Sequence, residues 1–321
     1  MKVLLLDRNH VLLENGLKNL GFEVDSDYDS SKEEIIKKIS NYDGIIIRSR
    51  IPVDSEFLDA AVKLKFIGRV GAGLENIDLK VAAKNGIQTF NAPEGNRDSV
   101  GEHAVGMLLM LVHRLRIADA EVKNGIWRRE ENRGDELMGK TIGIIGYGNM
   151  GKAFSRRLKG FGANVICYDI RAGKGDDNAV QVSWEEFKDR SEIISLHTPQ
   201  TTETIGLVDK ELINSMKNPF YLINTARGKS VVTKDLAEGL KSGKILGAAL
   251  DVHEYEKKSF ENLDLSQLPE DFRFLIESEN VILTPHIAGW THQSKQKLAE
   301  VILSKVADWK KLHNIAEQSG M

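Results

Sequence analysis

The sequence has a single cysteine, Cys167, so no disulfide framework can form, and we expect this residue to be a small buried apolar side chain. No apolar run approaches the roughly 18 residues that a membrane-spanning helix needs. No signal peptide is expected from the first residues. Basic runs are also absent, and 44 basic against 47 acidic residues give a net charge of −3. This balance argues against nucleic acid or membrane as main partner, and we expect a cytoplasmic protein of about two domains.

A glycine-rich turn after a short apolar strand is the most informative feature that is present. Thr141–Ile145 is apolar and β-branched, which predicts a buried strand, and a helical pattern follows from Ala153. The turn between them, G-Y-G-N-M-G, consists of Gly146, Tyr147, Gly148, Asn149, Met150 and Gly151. Such a G-x-G-x-x-G turn lets the backbone approach a pyrophosphate at a helix N-terminus. We therefore predict that these six residues bind a dinucleotide.

An acidic residue after the next predicted strand narrows the choice of cofactor. Asp169 follows the apolar run Asn164–Tyr168, close to the position about 20 residues beyond the glycines where an acid binds the adenosine ribose. A carboxylate there accepts hydrogen bonds from the ribose hydroxyls and repels a 2′-phosphate. The spacing favours NAD over NADP, although Arg171 lies nearby. The alternative is that Asp169 merely ends a strand.

Strands alternate with helices on both sides of this motif, which predicts an α/β fold with parallel sheets. The predicted strands of the first part are Val3–Leu6, Phe22–Val24, Gly44–Ile47, Leu64–Val70 and Ile87–Phe90. Ligands of such sheets bind beyond the carboxyl ends of the strands. The residues found there are Arg48, Ser49, Gly71, Ala72 and Gly73, with Arg50 as a further candidate. A guanidinium fork and exposed backbone N–H groups suit a carboxylate or phosphate; the alternative is a surface arginine and an ordinary turn.

Three other stretches bear on the organisation of the chain. Apolar residues recur at helical spacing from Ser99 to Lys123, with Ser99 as the predicted N-cap, and we expect this stripe to be core or subunit interface. His103, in its first turn, is interpreted as structural. The charged segment 254–279 is predicted to be an irregular insertion. A helix predicted from about Thr291 to Ile315 is expected to return to the first domain.

Candidate binding and catalytic residues end successive strands of the second part of the chain. They are His197, Thr198 and Pro199; Thr225, Ala226 and Arg227; Asp251; and His286. Oxidation of a 2-hydroxy acid needs a base for the hydroxyl proton and a cation for the carboxylate. Histidine suits the base because it titrates near neutrality, and arginine matches a carboxylate with two hydrogen bonds. An acid beside the histidine would orient the ring and stabilise its charged form.

Together these motifs resemble the D-isomer-specific 2-hydroxyacid dehydrogenases, over almost the whole chain. The matching segments are I-R-S-R at 47–50, V-G-A-G-L-E-N-I-D at 70–78, N-A-P-E-G-N at 91–96, the glycine turn, H-T-P at 197–199, N-T-A-R-G at 224–228, G-A-A-L-D-V at 247–252 and T-P-H-I-A-G at 284–289. The resemblance implies two Rossmann-like or flavodoxin-like domains separated by a cleft. It implies a substrate-binding domain of residues 1–97 plus 287–321, an NAD-binding Rossmann domain of residues 98–286, and a homodimer formed through the helix from Ser99.

The resemblance also implies roles for individual residues. Arg227, Glu256 and His286 would be catalytic, and Arg227 and His286 would contact both substrate and cofactor. Thr225 and Asp251 match cofactor-contacting positions, and we assign His197, Thr198, Pro199 and Ala226 to the same site. Glu256 stands five residues after Asp251, at the family's spacing, but it is followed by Lys257 where the family usually has proline. Glu254 therefore stays open as the supporting acid.

The activity expected from these residues is hydride transfer between NAD and a small D-2-hydroxy acid, with no metal. The front-half motifs look most like the phosphoglycerate dehydrogenase branch, which implies 3-phosphoglycerate as substrate and a place in serine biosynthesis. A glyoxylate or hydroxypyruvate reductase is the alternative among enzymes. From another class, the family also includes NAD-sensing transcriptional corepressors.

Overall fold

The computed structural model describes residues 1–256 and 268–319, and the chain forms two compact units. Unit 1 consists of Met1–Asn96 and Trp290–Met321, and unit 2 consists of Arg97–Gly289. The sequence places the two boundaries after residues 97 and 286. Within the described residues, no helix is both long enough and apolar enough to cross a membrane.

Unit 1 is built on a five-stranded parallel sheet. Its strands are β1 (Lys2–Leu5), β2 (Glu23–Ser26), β3 (Gly44–Ile47), β4 (Phe66–Arg69) and β5 (Gln88–Phe90). Its helices are α1 (Val11–Asn19), α2 (Lys32–Ile39), α3 (Ser55–Ala60), α4 (Leu79–Lys84) and, at the end of the chain, α12 (His292–Ser319). The strand order is β2-β1-β3-β4-β5, and every pairing is parallel.

Helices cover both faces of this sheet, which explains why β3 is apolar throughout. Side chains alternate between the faces of a strand. Ile45 packs in one core with Ile35 of α2. Ile46 packs in the other with Leu298 and Ile302 of α12. The last helix of the chain therefore completes the core of the first sheet.

Unit 2 is built on a seven-stranded parallel sheet. Its strands are β6 (Thr141–Ile145), β7 (Asn164–Tyr168), β8 (Val180–Gln181), β9 (Ile193–Leu196), β10 (Phe220–Asn224), β11 (Ile245–Leu250) and β12 (Val281–Leu283). The remaining helices are α5 (Pro93–Val112), which begins just before the boundary, α6 (Leu115–Lys123), α7 (Asn149–Arg157), α8 (Trp184–Arg190), α9 (Lys210–Ser215), α10 (Thr233–Lys241) and α11 (Glu270–Glu277).

The strand order of unit 2 is β12-β11-β10-β9-β6-β7-β8. The chain runs outward from β6 to β8 on one side and then returns to β9 on the other side. The order therefore reverses between β6 and β9, and such a switch point is where open α/β sheets bind ligands. The predicted fold class, two parallel-sheet α/β domains, is confirmed.

The predicted helix from Ser99 to Lys123 is wrong at its start and in its middle. α5 begins at Pro93, since proline is favoured at a first helical position. Ser99 lies inside the helix, and its Oγ donates to the carbonyl of Ala288 at 2.6 Å rather than capping an end. The left-handed backbone of Arg114 (φ 54°) then separates α5 from α6.

The predicted irregular insertion at 254–279 is also corrected in part. Residues 270–277 form α11, in which Phe272 and Leu275 are buried at helical spacing. Residues 257–267 of this segment lie outside the described residues. Cys167 is fully buried in β7, as predicted.

Candidate active site and dinucleotide site

The glycine turn at the switch point has the geometry that a dinucleotide requires. A Cβ at Gly146, where φ is 89°, would lie 2.9 Å from the carbonyl group of His197. A Cβ at Gly151 would lie 2.4 Å from the carbonyl oxygen of Gly146, so this glycine lets α7 start close to the turn. Gly148 is the N-cap of α7 and faces open space. Without a side-chain cap, the first N–H groups of α7 are available to an anion.

Tyr147 and Asp169 hold this turn from within the fold. The Tyr147 side chain is fully buried, and its hydroxyl lies 2.7 Å from Oδ1 of Asp176 and 2.8 Å from Oγ of Ser155. Tyr147 therefore offers a ligand only its main chain. Asp169 accepts the N–H of Tyr147 at 2.9 Å and that of Arg171 at 3.0 Å. An ionised carboxylate has about four acceptor sites, so capacity remains for a ribose hydroxyl.

Three buried polar atoms at the ends of β9 and β10 have no hydrogen-bond partner in the part of the chain that the structure describes. They are Nδ1 of His197, Oγ1 of Thr198 and Oγ1 of Thr225. Buried polar atoms are normally satisfied, so their convergence beyond neighbouring strands fits a polar ligand such as a dinucleotide. Nε2 of His197 contacts Oγ of Ser195 at 2.9 Å, and burial lowers the pKa of His197 to about 3. This histidine is therefore neutral.

The other predicted cofactor residues differ in exposure. Asn149 and Pro199 are exposed, Met150 is half-buried and Ala226 is buried. The side chain of Ala226 has no polar atom, and its N–H donates to Oδ1 of Asn224 at 3.0 Å.

The structure brings Glu256 and His286 together. Oε2 of Glu256 lies 2.9 Å from Nδ1 of His286, and Oε1 accepts the N–H of His253 at 2.5 Å. Because an ionised carboxylate only accepts, Nδ1 of His286 carries a proton. His286 itself has a left-handed backbone, with φ of 57°.

Glu254 contacts a different group. Its Oε2 accepts the N–H of Thr233 at 2.8 Å, at the start of α10, where the N-cap residue supplies no side-chain bond. Glu254 therefore stabilises a helix terminus, and the geometry favours Glu256 as the acid beside the histidine.

Asp251 organises the loop that carries His286. Its buried carboxylate accepts the N–H groups of Ile287 and Ala288, each at 2.8 Å, and the hydroxyl of Thr284 at 2.6 Å. Its carbonyl oxygen accepts the N–H of His286 at 2.8 Å. The family resemblance assigns Asp251 to contact with the cofactor, and this role stays a prediction. In the structure, Asp251 holds residues 284–288 in place through its hydrogen bonds.

His103 joins this cluster from α5. Its Nε2 lies 3.3 Å from Oγ1 of Thr284 and 3.5 Å from Oδ1 of Asp251.

Arg227 stands on a loop that packs against the segment leading to Glu256. A Cβ at Gly228 would lie only 1.9 Å from the carbonyl oxygen of His253, so glycine is needed for this approach. Asn224 donates to the carbonyl of Arg227 at 2.9 Å, and Nη1 of Arg227 donates to that of Ala226 at 2.7 Å. These bonds fix the loop that carries the guanidinium.

In unit 1, Arg48 and Arg50 have different surroundings. The guanidinium of Arg50 donates to the carbonyls of Leu6 and Ser30 and, at 3.0 Å, to that of Asp27. Main-chain carbonyls therefore use three of the five N–H groups of Arg50, which gives this residue a structural role.

Arg48 is half-buried, and its guanidinium lies over the ring of Trp290, 4.7 Å from the centroid. Burial lowers the pKa of Arg48, and the nearby Asp7 opposes this effect. Ser49 is exposed. The sequence analysis did not identify Trp290 as a partner of Arg48. Trp290 directly follows the motif at 284–289, and no sequence pattern links it to a residue as distant as Arg48.

The turn at residues 71–73 exposes fewer donors than predicted. The N–H of Gly71 donates to the carbonyl of Arg69 at 2.9 Å, so the expectation of a free donor there is wrong. A Cβ at Gly71 would lie 1.6 Å from Nη1 of Arg69, so this glycine makes room for the arginine. In the described parts of the chain, the N–H groups of Ala72 and Gly73 have no acceptor.

Known proteins share this architecture and these motifs. Residues 105–288 match the sequence model of the D-isomer specific 2-hydroxyacid dehydrogenase, NAD binding domain. A D-3-phosphoglycerate dehydrogenase from Archaeoglobus fulgidus is 36% identical over 314 residues, covering 97% of this chain and 58% of that protein. A glyoxylate reductase from Thermofilum pendens is 37% identical over 285 residues, covering 86% of this chain and 80% of the reductase.

Among solved structures, a D-lactate dehydrogenase from Aquifex aeolicus, complexed with NAD and lactic acid, has a TM-score of 0.79. It is 31% identical, and the match covers 97% of this chain and 96% of that one. The chain belongs to the D-isomer-specific 2-hydroxyacid dehydrogenase family, and the prediction of NAD as cofactor is confirmed. It spans 58% of the length of the archaeal phosphoglycerate dehydrogenase.

Proposed function

We propose that this protein is an NAD-dependent oxidoreductase that transfers a hydride between NAD(H) and a small D-2-hydroxy acid or its 2-keto acid. Unit 2 would bind NAD and unit 1 the substrate. The observation that carries this proposal is the contact between Glu256 and His286 at 2.9 Å, in the same unit as the glycine turn. A fixed acid–histidine pair suits general acid–base catalysis at a hydroxyl group.

Different residues of unit 2 would bind the cofactor and transfer the proton. The turn from Gly146 to Gly151 and the first N–H groups of α7 would hold the pyrophosphate, and Thr198 and Thr225 would satisfy their hydroxyls on the nucleotide. When bound, NAD supplies the hydride acceptor. Nε2 of His286 would take the hydroxyl proton while Glu256 stabilises the resulting imidazolium.

Arg227 would hold the substrate carboxylate with its guanidinium fork and polarise the oxygen of the reacting carbon. Its loop packs against His253, which lies on the segment that leads to Glu256, and this contact supports a role for Arg227 beside that acid.

The test of the activity is NADH oxidation with a panel of 2-keto acids, including glyoxylate, hydroxypyruvate and 3-phosphohydroxypyruvate. His286→Ala should lower kcat by about 10²- to 10⁴-fold, the typical contribution of general acid–base catalysis, with NADH binding retained. His113→Ala, at an exposed histidine of unit 2, is the matched control and should change little. A near-normal kcat for His286→Ala would remove this residue from the mechanism. A wild type that binds NADH but reduces no keto acid would favour an NAD-sensing binding protein.

We further propose 3-phosphoglycerate and 3-phosphohydroxypyruvate as the substrate pair, which would place the enzyme in serine biosynthesis. Arg48 follows β3 at the carboxyl edge of the unit 1 sheet, and in the described parts of the chain its guanidinium donates to no carbonyl or carboxylate. Arg48 would bind the phosphate of this substrate, because a guanidinium fork matches phosphate oxygens with two hydrogen bonds. The similarity to phosphoglycerate dehydrogenases supports this choice, while the glyoxylate reductase relative supports the alternative.

Arg48→Ala tests the choice of substrate. It should lower kcat/KM for 3-phosphohydroxypyruvate about tenfold or more, since hydrogen bonds to charged groups are worth roughly 1.5–3 kcal/mol. Glyoxylate and unphosphorylated hydroxypyruvate should lose much less. An equal loss on all three would mean that Arg48 serves the shared carboxylate, and a glyoxylate or hydroxypyruvate reductase would then be the better assignment.

We also propose a homodimer that forms through α5, α6 and the segment after them. Large apolar side chains are exposed there, namely Met110, Leu115, Val122, Ile126, Trp127 and Met138. Trp127 is 76% exposed, and large apolar side chains that remain exposed are typical of an interface between subunits. Sedimentation of the wild type and of the double variant Val122→Glu, Trp127→Glu tests this. A wild-type monomer would contradict the proposal.

A further inference from the structure

Trp290 lies outside every motif that was assigned a function, yet it contacts one of the assigned residues. The centroid of its ring lies 4.7 Å from the guanidinium carbon of Arg48. Both residues belong to unit 1, although they stand far apart in the sequence. The Trp290 side chain is 68% exposed, so it contributes little to a core. Its contact with Arg48 is therefore a surface feature that the packing of the fold does not require.

A ring beneath a guanidinium acts differently from a hydrogen-bond acceptor. Three carbonyl oxygens accept hydrogen bonds from Nε, Nη1 and Nη2 of Arg50, so the fold uses three of its five N–H groups. The ring of Trp290 instead attracts the face of the Arg48 guanidinium, and the N–H groups at its edge stay directed outward in the guanidinium plane. The arginine is held in place while its fork stays available to an acceptor such as phosphate.

We propose that Trp290 is a positioning residue for substrate specificity, which holds the Arg48 guanidinium ready for a phosphate group of the substrate. This inference rests on the proposed function, in which Arg48 binds a substrate phosphate. A side chain that is already ordered loses less conformational entropy when the ligand binds. Trp290 would therefore improve the binding of a phosphorylated keto acid more than that of glyoxylate, which has no second anionic group.

The experiment compares Trp290→Leu, Trp290→Phe, Arg48→Ala and the double variant Arg48→Ala, Trp290→Leu. For Trp290→Leu, kcat/KM for 3-phosphohydroxypyruvate should fall about 2- to 30-fold, the range that a cation–π contact corresponds to. The loss for glyoxylate should be smaller. Trp290→Phe keeps an aromatic face and should recover part of the loss. Inorganic phosphate should inhibit the reduction of 3-phosphohydroxypyruvate, and its inhibition constant should rise in the variants in which kcat/KM falls.

The double variant shows whether Trp290 affects kcat/KM through Arg48 or independently of it. If Trp290 acts only through Arg48, the double variant should be no worse than Arg48→Ala alone. Losses that multiply would overturn the proposal, as would a Trp290→Phe variant as impaired as Trp290→Leu. Lys241→Ala is the control, since it removes a cation–π contact of 4.6 Å with Phe274 in unit 2. It should leave kcat/KM unchanged for every substrate.

Two results keep this proposal distinct from the proposed function. If Arg48→Ala is selective for the phosphorylated substrate but Trp290→Leu changes nothing, the positioning role is wrong and the substrate assignment stands. If Arg48→Ala is not selective, the substrate assignment fails, and the positioning role fails with it. Thermal melting of each variant, compared with the wild type, identifies losses that come from unfolding.

Discussion

Glu256 and His286 face each other at 2.9 Å, from the segments that follow the neighbouring parallel strands β11 and β12. The second oxygen of the same carboxylate accepts the N–H of His253, so two donors fix the position of Glu256. Asp251 then holds the His286 loop through its carboxylate. The acid is thus held by a main-chain N–H of its own segment, and the loop that carries the ring is held by the Asp251 carboxylate. A proton-transferring histidine needs such a fixed partner.

Glu256→Gln should lower kcat by weakening proton transfer at His286. The imidazolium form would lose the carboxylate that stabilises it. Glu254→Gln is the matched control, because Glu254 accepts from Thr233 and not from the histidine. The measurement is kcat for both variants and the wild type. A loss of kcat in the Glu254 variant alone would reverse the assignment.

Asp251→Asn should destabilise unit 2 and lower kcat together. The amide presents only one oxygen to the three donors from residues 284–288, and a buried donor without a partner costs about 1–3 kcal/mol. Urea unfolding and kcat are the two measurements. Thr284→Val removes a single donor and should have the smaller effect on both. Equal effects of the two variants would mean that the main-chain bonds to Asp251 contribute little.

Cofactor preference should depend on Asp169. The wild type should use NADH with a higher kcat/KM than NADPH, because the carboxylate receives ribose hydroxyls and repels a 2′-phosphate. Asp169→Asn should reduce that preference, and Asp177→Asn, an exposed acid in the following loop, should leave it unchanged. Equal or better use of NADPH by the wild type would contradict the assignment.

The stability of unit 2 should depend on pH through His197. Burial lowers the pKa of His197 from 6.5 to about 3, so between these values the unfolded chain binds a proton that the folded chain excludes. Stability therefore falls as pH decreases from about 6.5 toward 3. His197→Asn removes this dependence, although it loses packing against Phe154.

The free energy of unfolding, measured at pH 8 and at pH 4.5, checks the effect of His197. The variant should be less stable than the wild type at pH 8, and the difference should narrow at pH 4.5. The exposed His113→Asn serves as control. A difference that stays constant with pH would show that His197 is accessible to protons in the folded state.

The sequence by itself determined the features that depend on local spacing. The glycine turn follows β6 because G-Y-G-N-M-G directly succeeds an apolar β-branched run. The positions of Arg227 and His286 beyond strand ends were predicted in the same way, since alternating strands and helices force the carboxyl ends of parallel strands to one edge of the sheet.

Only the tertiary structure decided which of two like-charged residues, close together in the sequence, has a structural role and which belongs to the candidate site. Glu254 and Glu256 are two residues apart, as are Arg48 and Arg50, and in each pair one side chain is used by the fold. Side-chain direction is decided by partners that arrive from elsewhere in the chain, such as the carbonyls around Arg50 and the ring of Trp290 beneath Arg48. Local spacing carries no information about those partners, because they lie far from Arg48 and Arg50 in the sequence.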